Sequence, residues 1–282
     1  MKKWILMAAV ALLIMQCAPS KKFPTDEKGY EQELYFCAPT KLTAKPGNRS
    51  LFLKWNTNCP PNVLLSGYNI YLLDEPMAEK YLDGDLPSRI QPYNSSPYPG
   101  DTEAEGDYET ILIDGLDNGK EYYATVRTVF PDGHQSVSSN QVGAICRPEG
   151  EFRLAARFAD INDGFSFAKA RTVRADAADN DIYFFNKDGI DFFASPHRLN
   201  GFLRKSELFS LGQTKDIYQY PKFDLDIPSM DKIPIRAGDS YAVKTADGNF
   251  VKIRIESISG EAKERSLRIK YIYQTVPRLL RF

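Results

Sequence analysis

Two histidines, four cysteines and a scatter of carboxylates are the residues here with chemistry to offer. His134 lies in Pro131-Asp132-Gly133-His134 and His197 in Ser195-Pro196-His197. Both are turn contexts, where a polar residue needs no catalytic role. With so few histidines, a His-centred triad or a three-His metal site is essentially excluded. The chain has no Gly-rich phosphate loop, no Gly-x-Ser-x-Gly elbow and no His-Glu-x-x-His. Carboxylate pairs occur at Asp179/Asp181 and Asp224/Asp226. A glycosidase needs two acids held across a cleft, whereas turns and strand starts account for these pairs. Asp83/Asp85 and Asp101/Glu103/Glu105 offer hard oxygens to calcium, without the spacing of an EF-hand loop. The residues therefore predict no catalytic group, no metal site and no cofactor, and point away from an enzyme.

What must position these residues is an all-β framework. At 282 residues the chain is long enough for two domains. Aromatics at 12% favour strands. A net charge of −1 invites neither nucleic acid nor an anionic surface. Residues 36–150 are net acidic and residues 151–282 net basic, which reads as two solvated surfaces of opposite bias. The Lys/Arg stripe on the last strands lacks the aromatic interleaving of a nucleic-acid platform.

Leu51, Leu53 and Trp55 alternate with Phe52 and Lys54, the period-two mark of a strand with one face on a core. Further strands are predicted over 41–44, 68–73, 108–114, 121–130 and 136–145. A Trp on an early strand and Leu116-x-x-Gly119-x-x-Tyr122 before a later one resemble a fibronectin type III domain over residues 36–148. The resemblance implies a two-sheet sandwich in which Trp55, Leu116, Gly119 and Tyr122 are structural. It also implies that the Tyr122 hydroxyl bonds to nearby backbone. In such a sandwich Cys37, at the start of the first strand, shares a pole with Cys59, in the loop after the Trp strand. Cys146 closes the last strand at the opposite pole. The resemblance thus pairs Cys37 with Cys59.

The stretch between Asp74 and Asp107 departs from that family. It is long, acidic and proline-rich, and holds Tyr81, Tyr93 and Tyr98. Loops of this length are functional or disordered. One reading is a recognition loop with tyrosines as low-entropy contacts; the other is a solvated insertion lying over a sheet edge.

Residues 150–282 form a second β-rich domain. Tyr241/Val243/Thr245 fall on alternate positions of 240–245, Val251/Ile253/Ile255 alternate with Lys252/Arg254/Glu256, and Leu267/Ile269/Tyr271/Tyr273 fall on alternate positions with Arg268/Lys270 between the first of them. They predict an antiparallel meander with one buried face and one basic face in water. A helical turn or two is predicted near 205–211. Gly164–Phe167 and the pattern over 239–274, including Asp247-Gly248 and Ile269-Lys270-Tyr271, resemble HmuY-like β-rich lipoproteins. Some members of that family capture haem through two axial side chains, which here implies His197 and Met230 as the candidates.

At the start of the chain Lys2 and Lys3 precede the apolar run Trp4–Met15, and Gln16-Cys17 follows. The run suits the h-region of a secretory signal. With Ile14 three residues before the cysteine it resembles a bacterial lipoprotein lipobox, although Gln16 is larger than the usual residue there. Residues 1–17 then form the signal, Cys17 the acylated residue and 18–35 a tether. The expected location is the cell envelope, anchored to the outer membrane by lipid. The expected work is binding a protein or polysaccharide, with haem or small-ligand capture as the alternative. Labelled fatty acid is expected to enter the protein in a bacterial host, and Cys17→Ser to abolish it and release the protein. An unlabelled wild type would sink the lipid anchor.

Overall fold

The structure is a computed structural model, which describes residues 35, 37–60, 62–100, 106–157, 162–219 and 227–282. Cys17, Asp101/Glu103/Glu105 and Asp224/Asp226 lie outside the described residues. The first half contains β1 (Thr40–Gly47), β2 (Ser50–Asn56), β3 (Gly67–Leu73), α1 (Glu79–Leu82), β4 (Tyr108–Asp114), β5 (Glu121–Val129) and β6 (Val142–Ile145). One sheet runs β1-β2-β4 and the other β3-β5-β6, and all neighbours are antiparallel. That is the order of a fibronectin type III-like sandwich.

The alternation read from the sequence sets which face is buried. Leu51, Leu53 and Trp55 have no solvent exposure, while Phe52 and Leu112, opposite one another on β2 and β4, face outward. Trp55 fills the space between the sheets and meets Tyr68 edge-on, with ring centroids 5.3 Å apart. The Tyr122 hydroxyl accepts a hydrogen bond from the Asp117 amide at 3.0 Å. Gly119, at φ +86°, closes that corner and donates its amide to the Cys146 carbonyl.

The strand predicted over 136–145 is shorter than expected, because β6 begins only at Val142. Before it, Ser136 and Ser139 turn their hydroxyls onto the Thr128 and Val126 amides of β5, so side chains take ladder positions there.

The second half holds β7 (Glu149–Ala155), β8 (Gly164–Ser166), β9 (Arg171–Val173), β10 (Ile182–Lys187), β11 (Ile190–Ala194), β12 (Glu207–Gln213), β13 (Lys232–Pro234), β14 (Asp239–Lys244), β15 (Phe250–Ser259) and β16 (Ser266–Tyr273). They form two five-stranded sheets, β12-β14-β15-β16-β7 and β13-β11-β10-β8-β9. Phe165, Phe184, Phe193, Val243, Ile253 and Ile269 pack into one core. The helical turn expected near 205–211 is instead β12. Leu208 and Phe209 are both buried, and the strand pairs with β14, so tertiary pairing overrides the local pattern. Only Cys146, Arg147 and Pro148 separate β6 from β7.

Cys37 and Cys59 are joined by a disulfide, and Cys146 is a free, buried thiol that donates to the Ser50 carbonyl. Burial pushes the Cys146 thiol up, which keeps it unreactive. By loop length the bridge contributes about 3 kcal/mol. Cys37→Ser is expected to lose about that much in denaturant unfolding, and Cys146→Ser to leave the disulfide intact in non-reducing peptide maps. A map joining Cys146 to either partner would refute this pairing.

Candidate functional site

The insertion between β3 and β4 is fastened to the sandwich along the exposed edge of β3. Tyr68 and Tyr98 exchange both backbone hydrogen bonds at 2.8 Å. The Asn94 side chain then imitates a strand: its Oδ1 accepts from the Ile70 amide, and its Nδ2 donates to the Tyr68 carbonyl. An edge that would otherwise be free for pairing is thereby covered. Farther along, Arg127 of β5 is buried. Its guanidinium donates to the Tyr81, Leu82 and Gly84 carbonyls and to the Ser138 hydroxyl. The Met77 amide is held by Gln141 Oε1 at 2.6 Å.

These fastenings separate the three tyrosines. Tyr98 turns inward, 6.3 Å from the Trp55 ring, and its hydroxyl donates to the Thr110 carbonyl. Tyr81 is half-buried, and Tyr93 is 50% exposed. Between α1 and the end of β3 lies an open groove of about 510 Å³ lined by Leu72, Pro76, Met77, Tyr81, Arg89 and Ile90.

His197 and Met230 are not brought to one cavity among the described residues. His197 Nδ1 is 2.8 Å from the Ser195 hydroxyl, and Nε2 is 3.6 Å from Asp231. Met230 pairs with Leu208 through its backbone and borders a cavity lined by Lys205, Glu207, Asp231 and Lys232, without His197. The carboxylates are engaged structurally. Asp181 is buried, accepts the Phe167 amide and pairs with Arg204, which also holds Asp247. Asp179, held by Arg171 and Lys169, is depressed to about 2. Among the described residues no three His, Cys, Asp or Glu side chains gather as a metal site.

The feature the sequence did not reveal is at the joint between the two halves. The meander's outer face was expected in water. Yet Lys252 of β15 has no exposure, and its cross-strand neighbours Ala242 and Ile272 are buried as well. The segment from Thr214 to Gln219 folds over this face, buries Ile217 and offers the Gln219 carbonyl to the Lys252 ammonium. Arg147, buried in the joint, has its Nε without a hydrogen-bond partner. The clues in the sequence were apolar residues where polar ones were expected: Ala242 and Ile272 at outward strand positions, and Ile217 in a polar stretch.

The joint is tied directly to the first sandwich. The Arg147 amide donates to the Gly47 carbonyl, Lys45 lies over the Tyr218 ring at 4.3 Å, and Arg281 reaches Glu121 and the Gly143 carbonyl. A Cβ on Gly119 would lie 2.7 Å from Thr275 Oγ1, so the corner glycine also leaves room for the second half.

No family model matches the chain, and no curated protein matches it. Among solved structures, a myokine structure is 15% identical over 39% of this chain and 96% of its own, with a TM-score of 0.24. The twitchin kinase region from C. elegans (Fn31-NL-kin-CRD-Ig26) is 12% identical over 85% of this chain, with a TM-score of 0.27. The chain spans 39% of that second structure's length. Likenesses this slight carry no argument about function. Among the described residues no helix is long and apolar enough to cross a membrane.

Burial depresses the Lys252 ammonium to about 8 from its ordinary 10.5; Asp216 opposes the shift and Arg147 adds to it. Below the depressed value the buried charge destabilises the fold, and the penalty is relieved as pH rises from about 8 to 10.5. Lys252→Met is therefore expected to be more stable than the wild type at neutral pH, with an advantage that shrinks across that window. Urea unfolding of both proteins at several pH values checks this, because the tyrosine titrations common to both cancel in the difference. A pH-independent difference would show that the ammonium is not penalised.

Proposed function

We propose that this chain is a non-catalytic binding module of a bacterial cell envelope, anchored by lipid at Cys17, whose insertion grips a protein or polysaccharide. The observation that carries the reading is the way the insertion is held. It is pinned at Asn94 and Tyr98 to one sheet edge and at α1 to a buried arginine, yet it keeps Tyr93 exposed and Arg89 exposed in the lining of an open groove. A loop ordered before binding loses little entropy on binding. An exposed Tyr and Arg are the side-chain types that dominate contact energies. The lipobox-like start and the HmuY-like pattern over 239–274 support the envelope location. The haem alternative gains nothing from the geometry, since both ring nitrogens of His197 face protein partners.

The full chain is to be tested on polysaccharide arrays and on arrays of envelope and surface proteins. Tyr93→Ala combined with Arg89→Ala is expected to weaken the interaction about tenfold or more. Phe202→Ala, at a fully exposed residue in the other half, is expected to leave it unchanged. Binding that ignores the double variant, or no binding on either array, would defeat the reading.

A further inference from the structure

Asn-Gly pairs occur in the chain at Asn118-Gly119 and at Asn200-Gly201. Such a pair carries a latent reaction. The glycine backbone nitrogen can attack the asparagine Cγ, because glycine has no side chain to obstruct the approach and its backbone turns freely. The structure puts the two pairs in opposite circumstances.

Asn118 sits at the corner of the first sandwich, and both ends of its side-chain amide are taken. Its Oδ1 accepts the Arg49 amide at 2.9 Å, and its Nδ2 donates to Asn48 Oδ1 at 2.9 Å. The nucleophile is taken as well, since the Gly119 amide donates to the Cys146 carbonyl at 2.8 Å. Nitrogen and Cγ meet there only if these bonds break.

Asn200 and Gly201 are exposed, in the turn that follows the helical turn Pro196–Arg198. The Gly201 amide makes no hydrogen bond among the described residues, and neither does Asn200 Nδ2. Asn200 Oδ1 accepts the Phe202 amide at 3.1 Å, which folds the side chain back along its own backbone. The same bond sets a donor on the oxygen where negative charge develops as the nitrogen attacks. No atom lies within 4 Å of the place a Gly201 Cβ would take, so the approach is open.

We propose that Asn200 is a site of spontaneous deamidation in the folded protein, and that the fold protects Asn118 from the same reaction. The Gly201 nitrogen gives up its proton to solvent base and bonds to Asn200 Cγ. The bond from Cγ to Nδ2 breaks, ammonia leaves and a cyclic succinimide remains. Water then adds to either ring carbonyl and opens the ring to aspartate or to isoaspartate. Water is consumed and ammonia released, with no oxidant or reductant. Either product adds a negative charge to a turn whose flanking Arg198 and Arg204 already hold Asp231 and Asp181 with Asp247. Isoaspartate also lengthens the main chain after the Asn200 carbon, inside the turn that the Leu203 amide closes onto the Asn200 carbonyl. The reaction is independent of what the insertion binds.

The test is ageing of the full chain in neutral and mildly alkaline buffer, with a parallel sample held unfolded in guanidinium chloride. Peptide mapping by mass spectrometry, with chromatography that separates aspartate from isoaspartate, reads both positions. In the folded protein Asn200 is expected to convert, faster at the higher pH, and Asn118 to convert at least about tenfold more slowly, as loss of the attack geometry requires. In guanidinium chloride the two are expected to react at similar rates. Gly201→Ala, at an open position outside the left-handed region, is expected to keep the fold by circular dichroism and to slow Asn200 about tenfold. Three results would overturn the proposal: Asn200 intact in the folded chain while the unfolded chain converts, Asn118 as fast as Asn200 in the folded chain, or the same difference between them persisting in guanidinium chloride. An Asn200 rate unchanged in a folded Gly201→Ala protein would overturn it as well.

Discussion

Two stacked sheets leave a gap that only large side chains can fill, and both halves of this chain meet that constraint with rings. Trp55 and Tyr68 do so in the first sandwich. In the second, Phe152 stacks on Phe165 with centroids 3.6 Å apart, and Phe167 and Tyr271 close around them. Once these rings are fixed between the sheets, the alternation of each strand decides what points outward. Everything outside the cores, including the insertion and the covering segment over β15, is then a response to what was left exposed.

The legible part of this structure is the part governed by period two. Leu51, Leu53 and Trp55 gave one face of β2, and Val251, Ile253 and Ile255 one face of β15, because inward residues repeat regardless of what lies beyond the strand. The disulfide was legible because strand order fixes which pole each cysteine occupies. What alternation does not report is whether the outward face meets water. Lys252 reads as a solvated residue in every local pattern, and it is buried only because a distant segment crosses it. The 136–141 stretch misled for the opposite reason, since its serines bond β5 with hydroxyls in place of a continuous ladder. Cys17 was read from an apolar run and its flanks, which fold has no part in deciding.

The candidate sites divide along the same line. Tyr98 and Tyr93 belong to one acidic, proline-rich stretch and look equivalent in sequence. Asn94 and the Tyr68 backbone separate them by fixing the turn between, so that one ring packs on Trp55 and the other stays in solvent. His197 and Met230 lie far apart in sequence; the chain returns beside His197 at Asp231, and it is the Asp231 carboxylate that meets the imidazole.

The Cys37–Cys59 bridge has a mechanical meaning. A pull applied between Cys37 and the insertion after β3 travels along covalent bonds through the bridge to Cys59, and from there into β3. The β1–β2 hairpin lies wholly inside the loop that the bridge closes, so such a force bypasses it. Its ladder is neither sheared nor unzipped, and the sandwich can bear load without giving up the strand that carries Trp55.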